Sequence, residues 1–280
     1  VQSTPVSSPA PYSTLSASAD FGLMQTKLRG DILGVGIIAS ADNQAGGALK
    51  TNDIMASIAY HKSFGFNNEH YLSAGFQFGI KNRRLDISQL YFESQFNSSL
   101  NGFDLTLPNL EKFDRASYTA LNMNAGIFWS SNFSKTISAY AGGSMFNLMK
   151  PKDSFFSSDS ERAIKIHTHG GIIYTINEKF MLNPNGIFMM QQNINDWVAG
   201  STFSYGLSGK KNPFETSVFV GAWYEGTGAI IGSAGVQIKG IQFTLSYDRT
   251  ISDLSNANNG FGAFEASIIY QSAPLESKKK

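Results

Sequence analysis

Apolar and polar residues alternate with a period of two along much of this 280-residue chain. Ile241, Phe243, Leu245 and Tyr247 fall on one side of an extended segment, and Gln242, Thr244, Ser246 and Asp248 on the other. Ile54, Ala56, Ile58 and Tyr60 alternate with Asp53, Met55, Ser57 and Ala59. Leu121, Met123, Ala125, Ile127 and Trp129 alternate with Asn122, Asn124, Gly126 and Phe128, and Phe264, Ala266, Ile268 and Tyr270 with Glu265, Ser267, Ile269 and Gln271. Side chains of a strand point alternately to its two faces, so each segment has one apolar side and one largely small or polar side. Weaker versions of the pattern cover residues 12–21, 31–39, 70–81, 135–146, 165–176, 180–191, 196–207, 215–224 and 229–239. The pattern predicts about thirteen strands and no long helix, because no segment keeps a 3.6-residue apolar period.

The connections between these segments differ in length in an ordered way. A link at 22–30, tight turns at 65–68, 130–132 and 177–179, a link at 208–214 and the Lys239-Gly240 turn fall on one parity. Connections at 40–50, 82–117, 148–164, 193–195, 225–228 and 251–260 fall on the other, and the longest are among them. Bacterial outer-membrane barrels have short periplasmic turns and long extracellular loops. The chain therefore reads as all-β, a transmembrane antiparallel β-barrel occupying residues 1–280, with a periplasmic tail at 272–280. The last strand then runs towards the periplasm, and so does the strand at 12–21. An even strand number requires one more strand before Tyr12, or about fourteen in all. That strand is expected upstream of residue 1 or from another reading of the first ten residues; residues 1–11, with Pro5, Pro9 and Pro11, read as an extracellular entry loop.

Composition agrees with this reading. Charged residues are 15% against roughly 25% in an average soluble domain. No run of about 20 apolar residues exists, which excludes a helical membrane protein. The mean hydropathy of −0.15 is what alternation of lipid-facing and lumen-facing residues gives. Cysteine is absent, so a disulfide scaffold and cysteine chemistry are excluded. A net charge of +1 gives no electrostatic case for nucleic acid as a partner. No signal peptide is visible at Val1-Gln2-Ser3-Thr4-Pro5, so an exported protein would be represented here in a processed or truncated form.

Particular motifs carry a family resemblance. They are Gly221-Ala222-Trp223-Tyr224-Glu225, then Ile241-Gln242-Phe243-Thr244-Leu245-Ser246-Tyr247-Asp248-Arg249-Thr250-Ile251-Ser252, then Gly262-Ala263-Phe264-Glu265-Ala266-Ser267. Shorter ones lie upstream: Pro11-Tyr12-Ser13-Thr14, Asp42-Asn43-Gln44-Ala45-Gly46, Gly142-Gly143-Ser144-Met145-Phe146-Asn147-Leu148 and His169-Gly170-Gly171. Taken in order, these resemble the PorP/SprF family of type IX secretion and gliding-associated membrane proteins of Bacteroidota. That resemblance implies an outer-membrane protein partnered with a secreted protein bearing a type IX C-terminal sorting domain. It also implies a periplasmic peptidoglycan-associated component as a partner. The chain departs from the family twice. An Asn-Pro-Ala segment and first strand are not seen before Pro11, and Glu225 stands where an arginine is common after Trp-Tyr.

Candidate chemistry is sparse. His167 and His169 share one face of a strand and read either as a metal-binding pair or as lumen-facing polar residues. No third ligand follows from the spacing. His61 and His70 read as interfacial residues. No Gly-x-Ser-x-Gly elbow and no phosphate-binding glycine loop is present, so neither catalysis nor a cofactor is expected. Asp53 and Glu265 are expected to point inwards, because a charge facing hydrocarbon is costly.

The long connections are the informative part. Tyr91, Phe92, Phe96, Phe103 and Phe113 are interleaved with Asp86, Glu93 and Asp104, and Pro151, Phe155 and Phe156 lie in the second long loop. So many aromatics in an aqueous loop imply a lumen plug, a docking surface for a partner, or loops packed on each other. Expected partner contacts are Asp42, Asn43, Gln44, Tyr91, Phe92, Phe96, Phe103, Pro151, Phe155, Phe156, Asp248 and Arg249. Two functions fit: a barrel that anchors or helps export a secreted surface protein through its extracellular loops, or a FadL-like channel for small or hydrophobic solutes. The first is the leading reading; the phenylalanines predicted on lumen faces, Phe128 and Phe219, keep the second open.

Overall fold

The computed structural model describes residues 2–3, 12–24, 30–66, 68–156, 160–209, 212–253, 255 and 260–272. Its strands are β1 (Gln2–Ser3), β2 (Ser13–Leu23), β3 (Ile32–Gln44), β4 (Leu49–Phe64), β5 (His70–Leu85), β6 (Phe96–Asn97), β7 (Gly102–Phe103) and β8 (Ser117–Asn132). They continue as β9 (Ile137–Phe146), β10 (Lys165–Thr175), β11 (Phe180–Gln191), β12 (Ile194–Gly206), β13 (Thr216–Glu225), β14 (Ala229–Ile238), β15 (Ile241–Thr250) and β16 (Phe261–Tyr270). Strands β6 and β7 form a separate hairpin, and the other fourteen of the sixteen close into an antiparallel barrel. Closure satisfies the backbone polar groups between strands, which is the condition for crossing lipid with strands.

The expected fourteenth strand is β1. Gln2 lies opposite Glu265 and Thr14, and Ser3 opposite Phe264 and Ser13. The entry loop expected at 1–11 is thus replaced at residues 2–3 by a strand; its remaining residues lie outside those described, as does the tail at 273–280. β1 is only two residues long. Beyond it, residues 15–23 of β2 pair only with β3 among the described residues, and are exposed on both faces. Strands β4 and β15, flanked on both sides, alternate instead.

The alternating apolar residues form the outer wall. Two belts of aromatic residues bound it: Tyr60, Phe64, Phe133 and Tyr174 at the end with tight turns, and Trp197, Tyr224 and Tyr247 at the end with long loops. Tyrosine and tryptophan collect at membrane interfaces because one end of each ring system is apolar and the other polar. The inner wall is small and polar, with aromatic rings laid flat on glycines. Trp223 lies over Gly200 and Gly221, where any side chain would collide with its indole, and its Nε1 donates to Asn185 Oδ1 at 3.0 Å. Phe219 covers Gly235, and Phe128 and His169 cover Gly142. Glycine within a strand permits this close approach.

Turn chemistry sets the register at the tight-turn end. Lys239 and Gly240 have φ of 47° and 86° and join β14 to β15 directly, the backbone that a two-residue hairpin requires to match strand twist. The turn expected at 130–132 lies at 133–136, because β8 continues to Asn132. The long connection expected at 40–50 is mostly strand. β3 and β4 pair through Gln44 and Leu49, leaving a short turn at 45–48.

Strand length positions the loops. β4, β5 and β8 have 16 residues each, whereas β13 to β16 have 10. About 9–11 residues cross a bilayer. The surplus at the long-loop end raises a wall above the lipid on one side of the mouth; the connection 86–116 joins β5 to β8 within it, and 147–164 joins the neighbouring β9 to β10.

Candidate functional site

The two long connections pack onto each other and onto the raised wall. Phe113 stacks on Phe156 at 4.9 Å, Tyr118 of β8 meets Phe155 edge-on at 5.2 Å, and Phe92 meets Phe113 at 5.9 Å. The Asp114 amide donates to the Phe155 carbonyl at 3.1 Å. Asp153 is the electrostatic node of this seam. It accepts from the Arg83 guanidinium and the Tyr118 hydroxyl, and pairs with Arg162 Nε at 2.7 Å. Arg83 also lies over the Phe155 ring at 5.8 Å. The Pro151 carbonyl accepts from the Arg162 amide at 2.9 Å, closing the second loop.

The tip of the first loop is built differently. Gln95 is buried, donates to the Leu107 carbonyl at 3.1 Å and accepts from the Phe92 amide at 3.3 Å. Asp104 accepts from the Thr106 amide and hydroxyl, and Asp86 from Ser88 and Gln89. These bonds hold both carboxyls below the usual carboxylate range, the side-chain bonds contributing most. On this frame the β6–β7 hairpin presents Phe96 and Phe103 in edge contact at 5.4 Å, with Tyr91 5.3 Å from Phe103. Tyr91 is 66% exposed, and Leu100 and Leu110 of the same connection are 68% and 76% exposed. The result is a firm apolar surface facing solvent.

The expected contact residues therefore fall into three groups. Tyr91, Phe96 and Phe103 are together and exposed. Phe92, Phe155 and Phe156 pack in the seam, and Pro151 closes the second loop on itself. Asp42, Asn43 and Gln44 lie on β3, not in a loop. Asp42 faces the lumen, accepts from Thr14 at 2.9 Å, and joins Asp248, Glu225 and Glu265 around Tyr12. Burial and these four carboxylates raise the Tyr12 phenol, burial contributing most. Asp248 and Arg249 lie on opposite faces of β15. The sequence reading missed Arg83, Tyr118, Asp153 and Arg162. Arg83 carried the one sequence signal, a charged residue late in a strand; Tyr118 opens the next long strand, and Asp153 and Arg162 lie within a connection.

The remaining candidates are resolved by packing. His167 lies against Phe146 at 4.8 Å and His169 stacks on Phe128 at 5.8 Å. No group of three metal-ligating side chains occurs among the described residues. His61 pairs with Ser73 and His70 with Ser131, each at 2.7 Å. Asp53 points inwards as expected and pairs with Lys81 at 3.1 Å. Glu265 faces the lumen opposite Ser246.

A closed barrel with an apolar, aromatic-belted exterior and one end built up by packed loops is an outer-membrane β-barrel. The chain belongs to the family of type IX secretion system membrane proteins PorP/SprF, whose model matches residues 4–270. No curated protein matches. Among solved structures it is similar to the ferric enterobactin receptor PfeA of Pseudomonas aeruginosa (10% identity, 86% of this chain and 42% of that one, TM-score 0.43) and BamA of Haemophilus ducreyi (12%, 93% and 62%, 0.44). It is also similar to the toluene transporter TbuX of Ralstonia pickettii (12%, 95% and 84%, 0.49). The chain spans less than two thirds of the first two. Likeness at this level says nothing about ligand or partner.

Proposed function

We propose that this barrel holds a secreted surface protein at the outer membrane, or helps to export it, by binding it through the loop platform. The long-loop end then faces outside the cell, and the tight turns and the C-terminus face the periplasm. Membership of a type IX secretion family supports the kind of partner, a secreted protein with a C-terminal sorting domain. The observation that carries the reading is the exposed Tyr91, Phe96 and Phe103 cluster on a framework held rigid from beneath. Aromatic anchors presented without loss of conformational freedom are the usual source of interface affinity. At the opposite end, Phe66 is fully exposed at the tip of the β4–β5 turn. This suits contact with a periplasmic, peptidoglycan-associated component.

The test is a pull-down of the detergent-solubilised barrel from native membranes. Wild-type barrel should retain the secreted protein. A Tyr91→Ser, Phe96→Ser, Phe103→Ser variant should lose it by at least about tenfold, about 1.4 kcal/mol, and the secreted protein should appear in the medium. Absence of any co-purifying surface protein, with unchanged surface display, would count against the proposal.

A further inference from the structure

The inner wall near the tight-turn end holds a cavity of about 500 Å³ that neither the platform nor the lumen packing uses. Its lining includes Gly34 and Gly36 of β3, whose lack of a Cβ lets His61, Asp20 and Ser57 close over the backbone. Asp20 of β2 and Ser57 of β4 flank Gly36: a Cβ built there would lie 3.2 Å from the Asp20 Cβ and 2.8 Å from the Ser57 Oγ. His61 stands over Gly34 and is fixed through Nδ1 to Ser73 Oγ at 2.7 Å. Phe128 and Tyr71 form the aromatic wall, and Ser130 adds a hydroxyl. Phe128 is itself held in place, stacked on His169 at 5.8 Å and 6.2 Å from Tyr140.

From this arrangement we propose that the cavity binds a small organic ammonium ion carried on an aromatic or alkyl body. Among the described residues, Asp20 is the one carboxylate lining it, and no lysine or arginine lines it. A carboxylate beside aromatic faces stabilises an ammonium group in two ways, by direct charge pairing and by attraction to the ring quadrupoles. Ala59 and the Tyr71 and Phe128 rings give the body of the ligand an apolar seat, and Ser57 and Ser130 offer oxygen acceptors to its remaining N–H groups. The volume suits a small ligand. An anionic analogue would be repelled by the Asp20 carboxylate and is rejected. This inference is independent of cargo binding at the other end of the barrel.

Phenethylammonium chloride is the probe, titrated calorimetrically into the purified chain in lipid nanodiscs, with phenylacetate and 2-phenylethanol as the anionic and neutral analogues. Phenethylammonium should bind saturably at one site, 2-phenylethanol at least about tenfold more weakly, and phenylacetate not at all. Asp20→Asn should weaken phenethylammonium about tenfold or more, and Ser57→Leu, which fills the cavity, should abolish binding. Heat-modifiable gel migration establishes that each variant is folded. Asp20→Asn keeps the test valid should Ser57→Leu fail to fold. The proposal is overturned by any of three results: no saturable phenethylammonium binding, equal binding of phenylacetate, or unchanged affinity in Asp20→Asn.

Discussion

Asp31 illustrates how one residue fixes a barrel end. It lies just before β3, is buried, and its carboxylate accepts from Tyr60 Oη at 2.5 Å, Lys62 Nζ at 2.8 Å, the Ser63 amide at 2.9 Å and Ser63 Oγ at 3.1 Å. The hydrogen bond from Lys62 contributes most, then those from Tyr60 and the Ser63 amide, and together they hold its pKa well below the ordinary 3.8. A depressed folded-state pKa stabilises the fold above the unfolded value and is lost as pH falls through the folded one. Asp31→Asn should therefore lower the melting temperature at pH 7. The difference from wild type should hold down to about pH 4 and shrink steadily below it, as seen in thermal unfolding across a pH series. A constant difference down to pH 2 would contradict this. The sequence marked Asp31 only as the start of a strand. Its partners lie about thirty positions away and are set by β3–β4 pairing, which no local pattern encodes.

Among the elements, alternation revealed strands wherever one face meets lipid and the other the lumen, as in β4, β8 and β15. It failed where that asymmetry ends. Asp42, Asn43 and Gln44 look like a loop because the upper part of β3 stands above the bilayer, where both faces are wet and polar residues suit either. β5 likewise continues through Asn82, Arg83 and Arg84 into what the pattern reads as a connection. The loop aromatics were legible, but how they divide between seam and surface was not, since Phe113–Phe156 packing and the Asp153 node depend on two loops meeting. Removing that carboxylate leaves Arg83 and Arg162 without their shared partner, a loss of about 1–3 kcal/mol for groups this far buried. Asp153→Ala should free the second loop and speed tryptic cleavage at Lys152 and Arg162 several-fold, with the barrel strands still protected. Unchanged cleavage would show that the aromatic seam alone holds the loop.

At the scale of the whole molecule, the functional reading requires the platform to face outward and the tight turns inward. Loop-length parity predicts this orientation from sequence, and the raised wall of β4, β5 and β8 puts the platform at the long-loop end. The chain has no cysteine, so single substitutions report position cleanly. The most direct measurement is labelling of intact cells with a membrane-impermeant maleimide, using Leu100→Cys in the platform and Lys135→Cys in the β8–β9 turn. The account predicts that position 100 is labelled on intact cells and that position 135 reacts only after the outer membrane is permeabilised. Labelling of position 135 on intact cells, with position 100 protected, would contradict it.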